Sequence, residues 1–262
     1  MRYVKTKRAK VGQCNICLEE KSLSWDHVPP KGGVTLTTME MKSLFGIFTD
    51  KEEPKIRESQ NGLKFRTICK ECNELLGQKY DHAVNEFASS VGRYLKSELK
   101  YPKIIHHKTK PKRLIKGILG HIIAGKIEID DSVFDEKARE AILDEHADIP
   151  EQLNIFYWIY PYNHTVLMRD FAMPSVRGNF KDFGYFQVLK YFPIAYLVVN
   201  KTKYEGLYEL TKYRHCDLDD EIDIPIQLEA VKHTYWPEMV DDGNIIAGGE
   251  AASNSVSATP KH

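Results

Sequence analysis

The strongest pattern along the chain follows Asn73. Leu76, Tyr80, Val84, Phe87, Val91, Tyr94 and Leu95 recur at three- and four-residue spacing, which places one apolar stripe on a helix running to about residue 99. Asn73 stands where the N-cap of that helix would be. Shorter amphipathic patterns predict helices over 114–124 and 133–146, and a short one over 38–48. From residue 153 the texture changes. Segments 155–160, 165–168, 185–189, 194–199 and 224–231 are rich in β-branched and aromatic residues, with Pro, Gly, Asn and Asp between them. They predict an antiparallel sheet of about five strands. Two more strands are expected over 23–28 and 63–68, and Pro29-Pro30 must turn the chain away after the first.

These elements divide the chain into a unit over 1–100, a basic linker with helices over 101–150, a β-rich accessory domain over 151–240 and a polar tail over 241–262. The tail, with Gly248-Gly249 and several serines, is expected to be disordered. The fold class expected is α+β.

A hydrophobic content of 42% with 28% charged residues is that of an ordinary folded protein. No apolar run approaches the ~20 residues of a membrane span, and the basic N-terminus is not followed by the apolar core of a secretion signal. A cytoplasmic protein without membrane contact is the expectation. The net charge of zero hides a division: residues 1–125 carry 24 Lys+Arg against 13 Asp+Glu, and residues 126–262 carry 13 against 24. A basic half suits a polyanionic partner such as DNA, and an acidic half suits a protein partner or a second copy. The other reading is two solvated faces of opposite sign.

The chemistry lies in the basic half. Cys14 and Cys17 form one C-x2-C pair and Cys69 and Cys72 a second, with 51 residues between Cys17 and Cys69. In a reducing compartment two such pairs read as one closed, structural zinc site rather than as disulfides. The clamp would hold together what lies next to each pair: Asp26-His27 at the end of a strand, and Asn73 behind Cys72. Carboxylate and carboxamide oxygens suit Mg²⁺ or Mn²⁺, and an imidazole off the metal takes a proton from water near neutral pH. Those are the parts of metal-assisted phosphodiester hydrolysis.

In this order, C-x2-C, Asp-His and C-x2-C-Asn, with Gly77 four residues after the Asn, the stretch 11–100 resembles the HNH (ββα-metal) endonucleases, most of all the zinc-bearing endonuclease VII type. The resemblance implies a zinc-stapled ββα-metal nuclease unit. It makes Cys14, Cys17, Cys69 and Cys72 the zinc ligands, Asp26 and Asn73 the ligands of a catalytic Mg²⁺ or Mn²⁺, and His27 the general base. The chain departs from that type at Pro29 and Leu76, where the type has His and Glu. It departs from the commoner HNH pattern at Lys64, where an Asn is usual; Asn61 stands three residues away. Asp81 and His82 are candidates to replace a missing contact. The function expected is a DNA endonuclease, as in restriction or phage-defence effectors. Its rival is a non-catalytic zinc module that binds nucleic acid or a protein partner.

Overall fold

The computed structural model describes residues 3–44, 47, 55–132, 134–174, 183–200, 204, 206–229, 231–238, 247–248 and 251–261. A three-stranded antiparallel sheet opens the chain, in the order β1 (Val11–Gln13), β2 (Glu20–His27), β5 (Lys64–Cys69). Between β2 and β5 lie β3 (Met39–Ser43) and β4 (Arg57–Ser59). The helix predicted over 38–48 is therefore a strand over 39–43, where Met39 and Met41 face the core and Glu40 and Lys42 do not: an alternation of two, not of three and four.

β5 runs directly into α1 (Lys70–Lys79), and α2 (Asp81–Lys96) follows. The one long helix expected from Asn73 is interrupted at Tyr80, whose φ of −124° and ψ of −35° leave helical space. Its buried hydroxyl donates to Ile142 O at 2.9 Å, a contact that a straight helix would not aim. The stripe itself is as predicted, with Val84, Phe87, Ala88 and Val91 buried.

The basic linker expected to open the 101–150 segment is instead β6 (Ile104–Thr109) and the first turn of α3 (Pro111–Ala124). α3 is enclosed on nearly all sides and includes buried Lys112, Lys116 and His121. Lys116 tolerates this because its Nζ donates to the carbonyls of Asp144, Glu145 and Ala147 at 2.6, 3.1 and 3.1 Å. Gly120 lets α3 approach α1: a Cβ there would lie 2.3 Å from Leu76 Cδ2. α4 (Asp135–Leu143) completes the helical layer.

The C-terminal strands are β7 (Asn154–Ile159), β8 (Thr165–Pro174), β9 (Phe183–Tyr191), β10 (Ile194–Val199), β11 (Tyr208–Glu209), β12 (Ile222–Gln227), β13 (Ala247–Gly248) and β14 (Val256–Pro260). Among the described residues, nine strands form one sheet in the order β11-β7-β10-β9-β8-β14-β3-β4, with β13 also on β8. β12 pairs instead with β6. Two expectations are corrected here. Residues 256–260 were expected in a disordered tail, but β14 lies between β8 and β3 with Val256 and Ala258 fully buried. The insertion strands β3 and β4 belong to the C-terminal sheet, reached through β14. Residues 241–246, 249, 250 and 262 of the tail lie outside the described residues. The N-terminal unit and the sheet also share a core: Phe87 on α2 meets Tyr157 on β7 edge-on, ring centroids 5.9 Å apart.

Candidate functional site

The turn between β1 and β2 carries Cys14 and Cys17; the junction of β5 with α1 carries Cys69 and Cys72. Their four Sγ atoms lie within 4.8 Å of one another, close enough to hold a metal ion such as zinc. Backbone N–H groups of Ile16 and Cys69 donate to Cys14 Sγ at 3.4 and 3.2 Å. A hydrogen bond from the Cys72 thiol, with these N–H groups, draws Cys14 down to about 4 against the effect of burial. Burial holds Cys69 up at about 12, and the Cys14 contact and burial raise Cys72. A divalent cation held here would favour thiolate at every position. Asn15, between the first two cysteines, ties the clamp to the helical layer through Nδ2 to Ile123 O at 2.9 Å and Lys126 O at 2.7 Å.

β2 and β5 pair antiparallel from Leu23↔Cys69 to His27↔Lys64, with an irregularity after Ser24. The clamp at one end of this ladder thus sets the position of Asp26-His27 at the other. Asn73 lies within the first turn of α1, whose N-cap is Cys69, so the predicted capping role does not hold. Its Nδ2 donates instead to Trp25 O at 2.9 Å and Ser24 Oγ at 3.1 Å. The carboxamide is held against β2 beside the residue that precedes Asp26, with Oδ1 left as its acceptor.

His27 is half-buried, and its Nε2 lies 2.9 Å from Asn61 O. A carbonyl only accepts, so Nε2 carries the proton and Nδ1 keeps the free lone pair. The carbonyl is aimed by a left-handed turn, Asn61 at φ 57° and Gly62 at φ 87°. Burial pulls the imidazole below its ordinary pKa, helped by Lys64 and Lys31 and opposed by the Asn61 contact and Asp26. His27 opens on a cavity of about 540 Å³, enclosed by the segment after Pro29, by α2 and by the β9–β10 turn.

Asp26 faces inward and is 6% exposed. Its Oδ2 lies 3.3 Å from His121 Nδ1, too poorly aligned for a hydrogen bond, while His121 Nε2 lies 2.8 Å from Asp81 Oδ1. Burial pushes His121 down, but Asp81 and Asp26 on either side outweigh it and hold it up at about 10. The buried ring thus stands between two carboxylates. Nothing in the spacing around His121 marks it; only the small residues Gly117 and Gly120 on the same helix signal a close approach. Of the candidates Asp81 and His82, only Asp81 belongs to this group. The His82 side chain is 87% exposed and lies beside Glu86.

The cysteines are the only three or more His, Cys, Asp and Glu side chains that converge as a metal site among the described residues. No helix among those residues is long and apolar enough to cross a membrane. No family model matches the chain, nor does any curated protein or solved structure.

Proposed function

We propose that this chain is a metal-dependent endonuclease of the HNH type that hydrolyses DNA phosphodiester bonds. What carries the reading is one arrangement: a strand ending in Asp26-His27, paired with a strand that passes through the cysteine cluster into the helix bearing Asn73. Asp26 Oδ2 is buried without a hydrogen bond, and Asn73 Oδ1 is that side chain's remaining acceptor. These hard oxygens fit Mg²⁺ or Mn²⁺, which would neutralise charge on the leaving oxygen. Zinc at the four cysteines would be structural. His27 Nδ1, its tautomer fixed by Asn61 O, accepts a proton from the attacking water at the mouth of the cavity. One such site nicks one strand per visit. The acidic C-terminal half suits a sensing or partner-binding surface of a restriction or phage-defence effector, in the cytoplasm.

One observation favours a second reading. Asp26 is almost fully enclosed and already faces His121. On that basis the chain is a non-catalytic zinc-binding subunit that binds nucleic acid or a protein partner. Supercoiled plasmid with Mg²⁺ or Mn²⁺ separates the two, with wild type beside His27→Ala and zinc measured in both. The endonuclease nicks, and the variant loses at least ~100-fold at equal zinc content. Binding without nicking by either protein favours the second reading, and equal nicking by both removes His27 from the chemistry.

A further inference from the structure

The cavity beside His27 has walls of two kinds. Val34, Leu36, Met39, Leu63, Phe192 and Pro193 give it an apolar lining, beside which Arg93 and Lys96 stand one turn apart on α2. No carboxylate lines it among the described residues. Lys64 is the cross-strand partner of His27, and Lys31 adjoins Gly32 of the lining, so two further cations stand close to the cavity. None of the four is in an ion pair among the described residues, whereas Lys110 and Arg113 are both locked onto Asp219. Arg93 and Lys96 are exposed; they are set by Ser90 Oγ, 2.9 Å from Arg93 Nη2, and by the Phe192 ring, 5.1 Å from Lys96 Nζ. A volume of about 540 Å³ is in the range of small-ligand sites.

Unpaired cations beside an apolar wall select an anion that carries a flat apolar part. We infer that this cavity binds one unpaired nucleotide of a polynucleotide strand, its base in the apolar half and its phosphate on Arg93 and Lys96. This rests on the endonuclease reading for its polynucleotide and adds to it the class of substrate. In a duplex the base is stacked and paired and does not reach into such a hole without leaving the helix. The strand cut at His27 is then single-stranded, or unpaired at the cutting site. Single-strand binding of this kind combines backbone cations with a base pocket and depends steeply on salt.

Binding is measured by fluorescence anisotropy on the His27→Ala protein in magnesium-free buffer. The probes are a labelled dT12, a labelled U12 and a blunt 12-base-pair duplex. Two variants accompany it. Arg93→Gln with Lys96→Gln removes the exposed cations, and Ser89→Trp fills the cavity from an exposed helix position without changing charge. The inference predicts that a single strand binds at least about tenfold tighter than the duplex. The double variant should lower the log–log salt slope by about 1.4, at roughly 0.7 per phosphate contact, and Ser89→Trp should weaken the single strand about tenfold or more. Duplex bound as tightly as single strand, or a single-strand affinity that neither variant moves, overturns the inference. Because no metal or cleavage enters, pocket-dependent binding by a protein that cuts neither plasmid nor single strands with Mg²⁺ or Mn²⁺ would refute the endonuclease and keep the pocket.

Discussion

His121 Nδ1 lies 3.3 Å from Asp26 Oδ2, inside a helix with no exposed surface at that position, and the same ring reaches Asp81 through Nε2. The pairing joins the inward side of the Asp26-His27 strand to α3. It also explains how a carboxylate at 6% exposure is tolerated there. Removing His121 leaves Asp26 as an uncompensated buried charge, so His121→Ala should destabilise the fold by roughly 3–5 kcal/mol. His121→Gln, which keeps a donor but no charge, should fall between. Urea unfolding of the three proteins checks this; equal stability of wild type and His121→Ala would mean that Asp26 is not held by this ring.

A second buried group ties the helical layer to the large sheet. Asp135, at the start of α4, meets Lys126 and lies 2.9 Å from Arg169 Nη2 on β8. Burial pushes its carboxyl up, but Arg169 and Lys126 outweigh it and hold it at about 2. A depressed folded pKa contributes stability that is fully present above the unfolded value near 3.8 and is lost as pH falls through about 2. Asp135→Asn should therefore cost roughly 3–5 kcal/mol at pH 7, where it strands two buried cations. The gap between wild type and variant should shrink from about pH 4 downward. Parallel unfolding curves at pH 7 and at pH 2–3 test the sign; a gap that widens in acid would contradict it.

β14 supplies the third prediction. Val256 and Ala258 are fully buried and Ser255 Oγ accepts from the Arg169 N–H at 3.0 Å, and in the sheet order of the described residues this short strand stands between β8 and β3. Val256→Asp places an unpaired charge in that core and should cost more than about 3 kcal/mol. Ending the chain after residue 250 should strip amide protection from β3 and β4, read by hydrogen exchange, and full protection in the shortened chain would refute the strand's role.

These elements also mark where the sequence was readable. The amphipathic stripe from Leu76 to Leu95 and the aromatic strands over 155–160 and 194–199 declare themselves because each buries a whole face by its own periodicity. The cysteine cluster is legible because only a shared site needs two equal spacings. Residues 256–260, Val-Ser-Ala-Thr-Pro, have too little apolar mass to signal a strand; their burial comes from β8 and β3 on either side. His121 is illegible for the same kind of reason. Its partners, Asp26 and Asp81, reach it only through the packing of α3 on the N-terminal unit, and no local spacing encodes that. The sequence points to the side chain of Asn61, yet the group that meets His27 is its backbone carbonyl.

That last distinction yields a test of how the proposed base is held. The turn at Asn61-Gly62 is fixed by Gly62 N–H to Thr37 O at 2.8 Å and Ser59 Oγ to Gly62 O at 2.7 Å. At Gly62, φ is 87° and a Cβ would lie 3.1 Å from Leu36 Cδ2. A β-branched side chain fits neither the torsion nor the space, so Gly62→Val must reshape the turn and carry the Asn61 carbonyl away from His27. An error near 1 Å in the placement of a catalytic group costs about 100-fold, whereas the strain itself costs on the order of 1–3 kcal/mol. Gly62→Val should then nick plasmid roughly 100-fold more slowly while remaining folded and zinc-loaded. Asn61→Gly is the contrast: it accepts a φ of 57° and keeps the carbonyl, so nicking should stay within about threefold of wild type. If Asn61→Gly loses as much activity as His27→Ala, the side chain of Asn61 and not its carbonyl serves the reaction, and the tautomer assigned to His27 loses its support.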